Sequence, residues 1–275
     1  MKILNRYRSG TVLSAGSARS SLLKEQSIKT VLGFTAFFAI IVVTFILFFL
    51  VRDGLSVFTH VGILNFLFGN DWAPTAAEPL YGIFPLIAGT LLVTLGAMVF
   101  AIPLSICCAI YISELASPRM KNILKPAIEL LAGIPSVVLG FFALIVLATW
   151  LQNAFGLTYR LNALNAGIAL GITVVPVIFT VAEDAMTAVP GSLRDAATAL
   201  GANKWQVSFT MVLPAALPGI AAGIVLGFGR AIGETMIVLM ASGNAAIVSG
   251  SLTDSIRTFS ATVAAEMAEV VFGSP

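Results

Sequence analysis

The longest uncharged stretch decides most of what this chain can fold into. Residues 80–112 contain no Asp, Glu, Lys or Arg. About 20 apolar residues in a helix cross the hydrocarbon layer of a bilayer, at about 1.5 Å per residue. Four more segments have membrane length: 30–51, 130–151, 161–182, and a fifth from about Pro214 through Arg230 to about Ala246. Within 80–112 the spanning part is read as 87–112, with the opening LYGIFPLIAG interfacial or a short preceding helix. Hydrophobic residues make up 58% of the chain and charged residues 10%. Soluble domains carry about 25% charged residues, and the mean hydropathy here is +1.00. A soluble fold is excluded. Pro103, Pro135, Pro176 and Pro218 lie inside the apolar runs, where membrane helices tolerate proline and often kink.

The segment 30–51 reads as a retained anchor. It is too long for the core of a secretion signal, and no small-x-small cleavage site follows it. Orientation follows from the basic residues of the short loops. With the N-terminus inside, the inner segments 1–29, 113–129 and 183–211 hold eleven Lys and Arg, and the outer segments hold only Arg52, Arg160 and Arg257. The expected arrangement is a cytoplasmic segment 1–29, an anchor 30–51, an outer loop 52–79 and a membrane domain 80–275 that carries a cytoplasmic loop 183–213. Cys107 and Cys108 are adjacent inside a span. They lack disulfide geometry and metal-ligand spacing, and are read as packing residues. His60 stands alone in an outer loop and reads as a surface residue.

Arg230 and Glu234 are the charges that an apolar, Gly-rich span should not contain. A charge at the centre of a span costs at least ~2.5 kcal/mol on insertion scales. Four residues apart on a continuous helix, the two would share one face and could pair. Their functional reading is a solute path. The alternative is a structural ion pair that fixes helix packing. Gly219, Gly223 and Gly227 form a small-residue stripe on the same span, read as a helix interface either with another subunit or within the bundle. Trp72, in an aromatic outer segment, reads as an interfacial anchor or as part of a docking surface.

The loop 183–213 is long and well punctuated. A helix is expected to end at Val189, before Pro190-Gly191. Ser192 with Asp195 three positions on suggests a capping box for a short helix that stops at Gly201. Asn203 can then cap the next helix, which leads to Leu213-Pro214. The functional reading is a docking element for a cytoplasmic partner, and the plain one is an amphipathic loop on the membrane surface.

Asp195-Ala196-Ala197, three residues, Gly201, nine residues, then Met211-Val212-Leu213-Pro214 resembles the EAA loop of ABC-importer permeases, with Asp for Glu and Met for Ile. Three further stretches resemble phosphate-specific permeases of the PstC type: GNDWAPTAAEPLYGIFPLIAG, ELLAGIPSVVLGFFAL, and GRAIGETMIVLMASGNAA with the SLTDSIRTFSATVAAEMAEV that follows. The resemblance implies an all-α integral membrane protein with a type I ABC importer permease bundle. It further implies a second permease subunit of the PstA type, a dimer of ATPase subunits, and a periplasmic or surface phosphate-binding protein. The location would be the bacterial cytoplasmic (inner) membrane, with the N-terminus cytoplasmic. Asp195, Ala196, Ala197, Gly201, Leu213 and Pro214 would couple the chain to the ATPase, and Arg230 and Glu234 would line the substrate pathway. The family pattern has a sixth span after the outer segment that ends here near Gly273-Ser274-Pro275, so five spans are expected in this chain.

No G-x-x-x-x-G-K-[ST] sequence is present, so the chain lacks a backbone cradle for nucleotide phosphates. It is read as a transport subunit and not an enzyme, with no cofactor of its own, ATP being consumed by the partner ATPase. Membrane lipid is its solvent and nucleic acid is not an expected partner. Arginine offers a planar fork of donors that suits phosphate oxygens. Glu234 would offset Arg230 in the empty site and accept a hydrogen bond from a protonated phosphate oxygen. A permease for sulfate or molybdate and a secondary transporter are the alternatives. A membrane enzyme fits worst, since no nucleophile-base pair and no facing carboxylates are found.

Overall fold

The computed structural model describes residues 15–76 and 78–267, apart from the side chains of residues 15–24, 56, 57, 59 and 60. The readings of the N-terminal residues before 15, of the His60 side chain and of the chain end after 267 lie outside the described residues. The chain divides into two units, Met1–Gly62 and Ile63–Pro275. The described part of the first is one helix, α1 (Ala15–Val61), whose apolar window Glu25–Leu55 is long enough to span. The helix runs past the expected end at residue 51, because the polar pair Arg52-Asp53 does not break helical geometry.

The second unit opens with α2 (Ile63–Phe68) and a two-stranded antiparallel hairpin, β1 (Trp72–Ala73) and β2 (Leu80–Tyr81), with Trp72 opposite Tyr81. The LYG opening is therefore a strand, and the second span starts after it. Helix α3 (Phe84–Ile110) starts with Pro85 in its first turn and ends in a wider π-helical turn at Tyr111–Leu115. An amphipathic helix, α4 (Pro118–Leu131), follows, capped by the Ser117 side chain, which accepts from the Met120 amide.

The third span begins later than expected. Helix α5 (Ser136–Phe142), a π turn (Ala143–Leu147) and α6 (Ala148–Phe155) form one apolar run from Ser136 to Phe155. Pro135 sits just before this run as its N-cap, so it separates α4 from the span instead of kinking it. Residues 130 and 131, counted in the span from sequence, close α4.

Helix α7 (Ala163–Thr187) is the axis of the unit. Its spanning window is 67% buried, against 33% or less in the other spanning windows of this unit. Asn162 caps it, accepting from the Asn165 amide at 2.9 Å. After α7 come α8 (Gly191–Ala199), α9 (Lys204–Val207), a π turn (Ser208–Val212) and α10 (Leu213–Gly233), the last three forming one run of 30 residues. Helix α11 (Met236–Ala241) and α12 (Phe259–Glu266) complete the order. One apolar cluster joins α3, α7 and α11 through Ala97, Val174 and Ile237. A second joins α3, α7, α8 and α10 through Ala109, Phe179, Ala197 and Ile220. The described segment 253–267 is a loop followed by the short α12, in line with an outer helical element and not a span.

The glycine stripe faces inward to α7. A Cβ on Gly227 would lie 2.6 Å from Ile178 Cγ1, and one on Gly223 would lie 3.1 Å from Val181 Cβ. A Cβ on Gly219 would collide with Ala185. The stripe is internal bundle packing in this chain. Cys107 faces outward and Cys108 is half-buried, so only the second packs as expected.

Candidate functional site

The segment 188–212, expected to couple to an ATPase, folds as a compact hairpin of short helices. The residue that caps α8 is Pro190, with extended φ and ψ of −57° and 135°, and Ser192 lies inside the helix. The expected Ser192–Asp195 capping box is absent because α7 already stops at Thr187 and the turn is made by Ala188, Val189 and Pro190. Gly201 takes φ of +86° and ends α8, a conformation that favours glycine. Asn203 caps α9 in a full capping box: its side chain accepts from the Gln206 amide, and the Gln206 side chain accepts from the Asn203 amide, each at 2.9 Å. Ala197 is 7% exposed, within the second apolar cluster. Asp195, Ala196 and Gly201 are exposed, Leu200 is 90% exposed, Leu213 is half-buried and Pro214 exposed. The hairpin thus grips the bundle through Ala197, Ala202 and Val207 and presents Asp195, Ala196 and Leu200 outward.

Charge pairs hold this end together. Arg194 donates from Nε to Glu114 Oε2 at 3.1 Å and from Nη2 to Glu114 Oε1 at 2.8 Å. It also donates to the carbonyls of Met186 at 2.8 Å and Val189 at 2.5 Å, which the end of a helix leaves without intrahelical partners. Glu183 has a side chain only 1% exposed and receives Lys121 Nζ at 2.8 Å and Lys125 Nζ at 2.5 Å. The Thr187 hydroxyl donates to its other face at 3.1 Å. Lys121 and Lys125 sit four apart on α4, with Leu124 and Ile128 packed on the second cluster, so one face of α4 carries both its cations and its apolar contacts. The hydrogen bond to Glu183 raises the Lys125 ammonium above the ordinary lysine value, and the Asp184 carboxylate adds to it.

Arg230 and Glu234 occupy the other end of the bundle. Arg230 lies in the last turn of α10, about 25 Å along the helix from Leu213, and its side chain is exposed on this chain. The helix stops at Gly233, and Glu234 adopts extended φ and ψ of −72° and 132°. The Ser260 hydroxyl donates to the Glu234 carbonyl at 2.7 Å, where a continuing helix would have used it. The expected i,i+4 pair therefore does not form: among the described residues, Arg230 and Glu234 belong to none of the ion pairs. Glu234, half-buried, lies against Thr90, Thr94, Thr258 and Ser260 in a crevice too tight to admit a water molecule. Trp72 donates from Nε1 to both carboxylate oxygens of Glu266, at 2.9 and 3.0 Å, and Arg257 donates to Glu266 at 2.8 Å.

Three groupings escaped the sequence reading: the Arg194–Glu114 fork, the Glu183 cluster and the hydroxyls around Glu234. Their members lie 58 or more residues apart within each charge pair, so no local spacing exposes them. The available signal was the pair of carboxylates, Glu114 and Glu183, at the ends of two apolar runs. No group of metal-ligating side chains occurs among the described residues.

A family model described as "Binding-protein-dependent transport system inner membrane component" matches residues 101–267. A probable ABC transporter permease protein of Bacillus subtilis, YqgH, is 38% identical over 229 residues, covering 82% of this chain and 74% of that one. The phosphate transport system permease protein PstC of Pasteurella multocida is 32% identical over 255 residues, covering 86% and 79%. The protein of the same name from Mesorhizobium japonicum is 34% identical over 226 residues, covering 75% and 68%. With five runs among the described residues long and apolar enough to cross a membrane, this is a multi-pass membrane protein and a transport component, not an enzyme, and it belongs to the family of binding-protein-dependent inner-membrane permeases that serve ABC transporters.

Proposed function

We propose that this chain is one permease subunit of an ATP-driven importer of inorganic phosphate. The observation that carries the permease reading is the coupling hairpin, whose inner face packs in the bundle through Ala197 while Asp195, Ala196 and Leu200 stand exposed. The phosphate term rests on the identity of 32–34% with phosphate permeases over most of their length. A separate ATPase dimer receives the hairpin, a second permease of the PstA type completes the pore, and a phosphate-binding protein delivers solute. The N-terminus and the hairpin are cytoplasmic, as the distribution of Lys and Arg supports.

Arg230 serves the path. A guanidinium that finds no ion-pair partner among the described residues is open to an anion or to a neighbouring subunit, and its fork geometry suits phosphate oxygens. Glu234 does not spend that charge. It stands against four hydroxyl-bearing residues at a helix break, in a crevice that must widen during transport before the carboxylate can accept a hydrogen bond from a protonated phosphate oxygen. The test is uptake of labelled phosphate by cells that lack their own high-affinity permease and express this chain with its partner subunits. Uptake that Arg230→Gln abolishes, with assembly intact, supports the proposal. An assembled complex that imports sulfate or molybdate and not phosphate assigns a different oxyanion.

A further inference from the structure

We propose that Arg194 and Glu114 form a rigid joint that carries motion of the coupling hairpin directly into the second span, a role that rests on reading the hairpin as the ATPase-docking element. The covalent route from α8 leads to the fifth span, and it passes through a turn at Gly201 with positive φ. The fork offers a shorter route to a different helix. Arg194 immediately precedes the exposed Asp195 and Ala196 on α8, yet its own side chain runs inward to the second and fourth spans.

The geometry suits transmission. Two parallel N–H···O bonds at 3.1 and 2.8 Å fix the guanidinium and the carboxylate in one plane, which resists the rocking that a single lysine contact permits. Two carbonyls at the end of α7 take further N–H groups at 2.8 and 2.5 Å, so α8, α7 and the end of the second span meet at one side chain. Glu114 is 9% exposed and Arg194 26%, unlike the solvated surface pairs that contribute little. Glu114 sits in the π turn Tyr111–Leu115, closed by the Ala116 amide donating to the Tyr111 carbonyl at 2.8 Å. Such turns often mark functional positions in helices. A hollow of about 180 Å³ lies between the fork and Lys204 and Val207 at the start of the fifth span, so the fork is the tighter of the two links. Arg194 is a positioning residue: it touches neither solute nor nucleotide.

The test uses the complete transporter reconstituted with its ATPase and binding protein. Spin labels are placed at Thr198→Cys on α8, outside the face formed by Asp195, Ala196 and Leu200, and at Cys107 on the second span, in a Cys108→Ser background. In the otherwise unaltered protein the label distance stays constant between the nucleotide-free and ATP-trapped states. With Arg194→Gln or Glu114→Gln it shifts by about 2 Å or more, the size of helix displacements at moving interfaces. Labelled phosphate imported per ATP hydrolysed falls about tenfold in both variants, while the ATPase is retained on purification as before. Arg194→Lys, which keeps the charge and loses the planar fork, shows the same uncoupling in weaker form. A distance that shifts as much with the fork intact overturns the joint, and so does import per ATP that is unchanged in both glutamine variants. Loss of bound ATPase in proportion to lost import also overturns it, since the pair then only shapes the docking surface. If the unaltered chain retains no ATPase, the docking reading itself fails, and that result appears before any variant is made. If the unaltered complex couples ATP to another solute, the phosphate reading fails while the label distances still decide the joint.

Discussion

The two ends of the helical unit treat charge in opposite ways. At the hairpin end the least exposed carboxylates are claimed: Glu183 by Lys121 and Lys125, Glu114 by Arg194. At the other end Arg230 and Glu234 sit four residues apart and make no ion pair, because the helix that would have aligned them ends at Gly233. Buried charge is costly wherever it occurs. A chain that pairs its least exposed carboxylates at one end and, beside the Arg257–Glu266 pair, leaves Arg230 without an ion-pair partner among the described residues at the other has a fixed scaffold at the first and a charge open to an outside group at the second.

The strongest way to break this contrast is at Glu183. Glu183→Ala removes the acceptor shared by Lys121, Lys125 and Thr187 and empties a buried site, while Lys125 keeps Asp184; a loss of about 2–3 kcal/mol is expected, read as lower thermal stability and less assembled complex. A variant as stable as the parent would show that the hairpin-end charges are not scaffold. Arg230→Gln should do the reverse. Stability should change by no more than about 0.5 kcal/mol, while phosphate uptake falls by a factor of ten or more, since a hydrogen bond to a charged group contributes about 1.5–3 kcal/mol. A stability loss as large as that of Glu183→Ala would place Arg230 with the scaffold. Gly227→Ala probes the neutral seam between the two ends. The added methyl meets Ile178, and overpacking of this kind costs about 1–3 kcal/mol, measurable as a lower melting temperature.

The smallest effect is on pH. The Lys125 ammonium is raised by its bond to Glu183, so its folded value exceeds the unfolded one. Its contribution is full below the ordinary lysine value near about 10.4 and is lost as pH climbs through the raised value. A stability step of below about 1 kcal/mol is expected in that alkaline range, and Lys125→Gln should remove it.

Much of this was legible in the sequence. The spans show as uncharged runs because burial in lipid imposes composition directly, and the hairpin shows because Gly201 and Asn203 act locally. Residues 130 and 131 were assigned to the third span because an amphipathic surface helix and a spanning helix share apolar ends. Only Pro135 at the N-cap divides them. The Arg230–Glu234 pairing failed for a related reason: periodicity assumes that the helix continues, and the hydroxyl that takes the Glu234 carbonyl comes from Ser260, 26 residues later. The fork and the Glu183 cluster are long-range contacts, invisible to any window on the sequence.

The glycine seam between α10 and α7 has a mechanical meaning. Ile178, Val181 and Ala185 rest in a trough that Gly219, Gly223 and Gly227 leave open along α10. Interdigitated side chains can pass one another only by changing rotamer, which makes most helix interfaces ratchets with discrete stops. Here each knob of α7 sits at one glycine of α10, and the glycines recur once per turn. A shift of less than a turn would drive Ile178, Val181 and Ala185 against the side chains between the glycines, so the seam is a ratchet whose natural step is one whole helical turn.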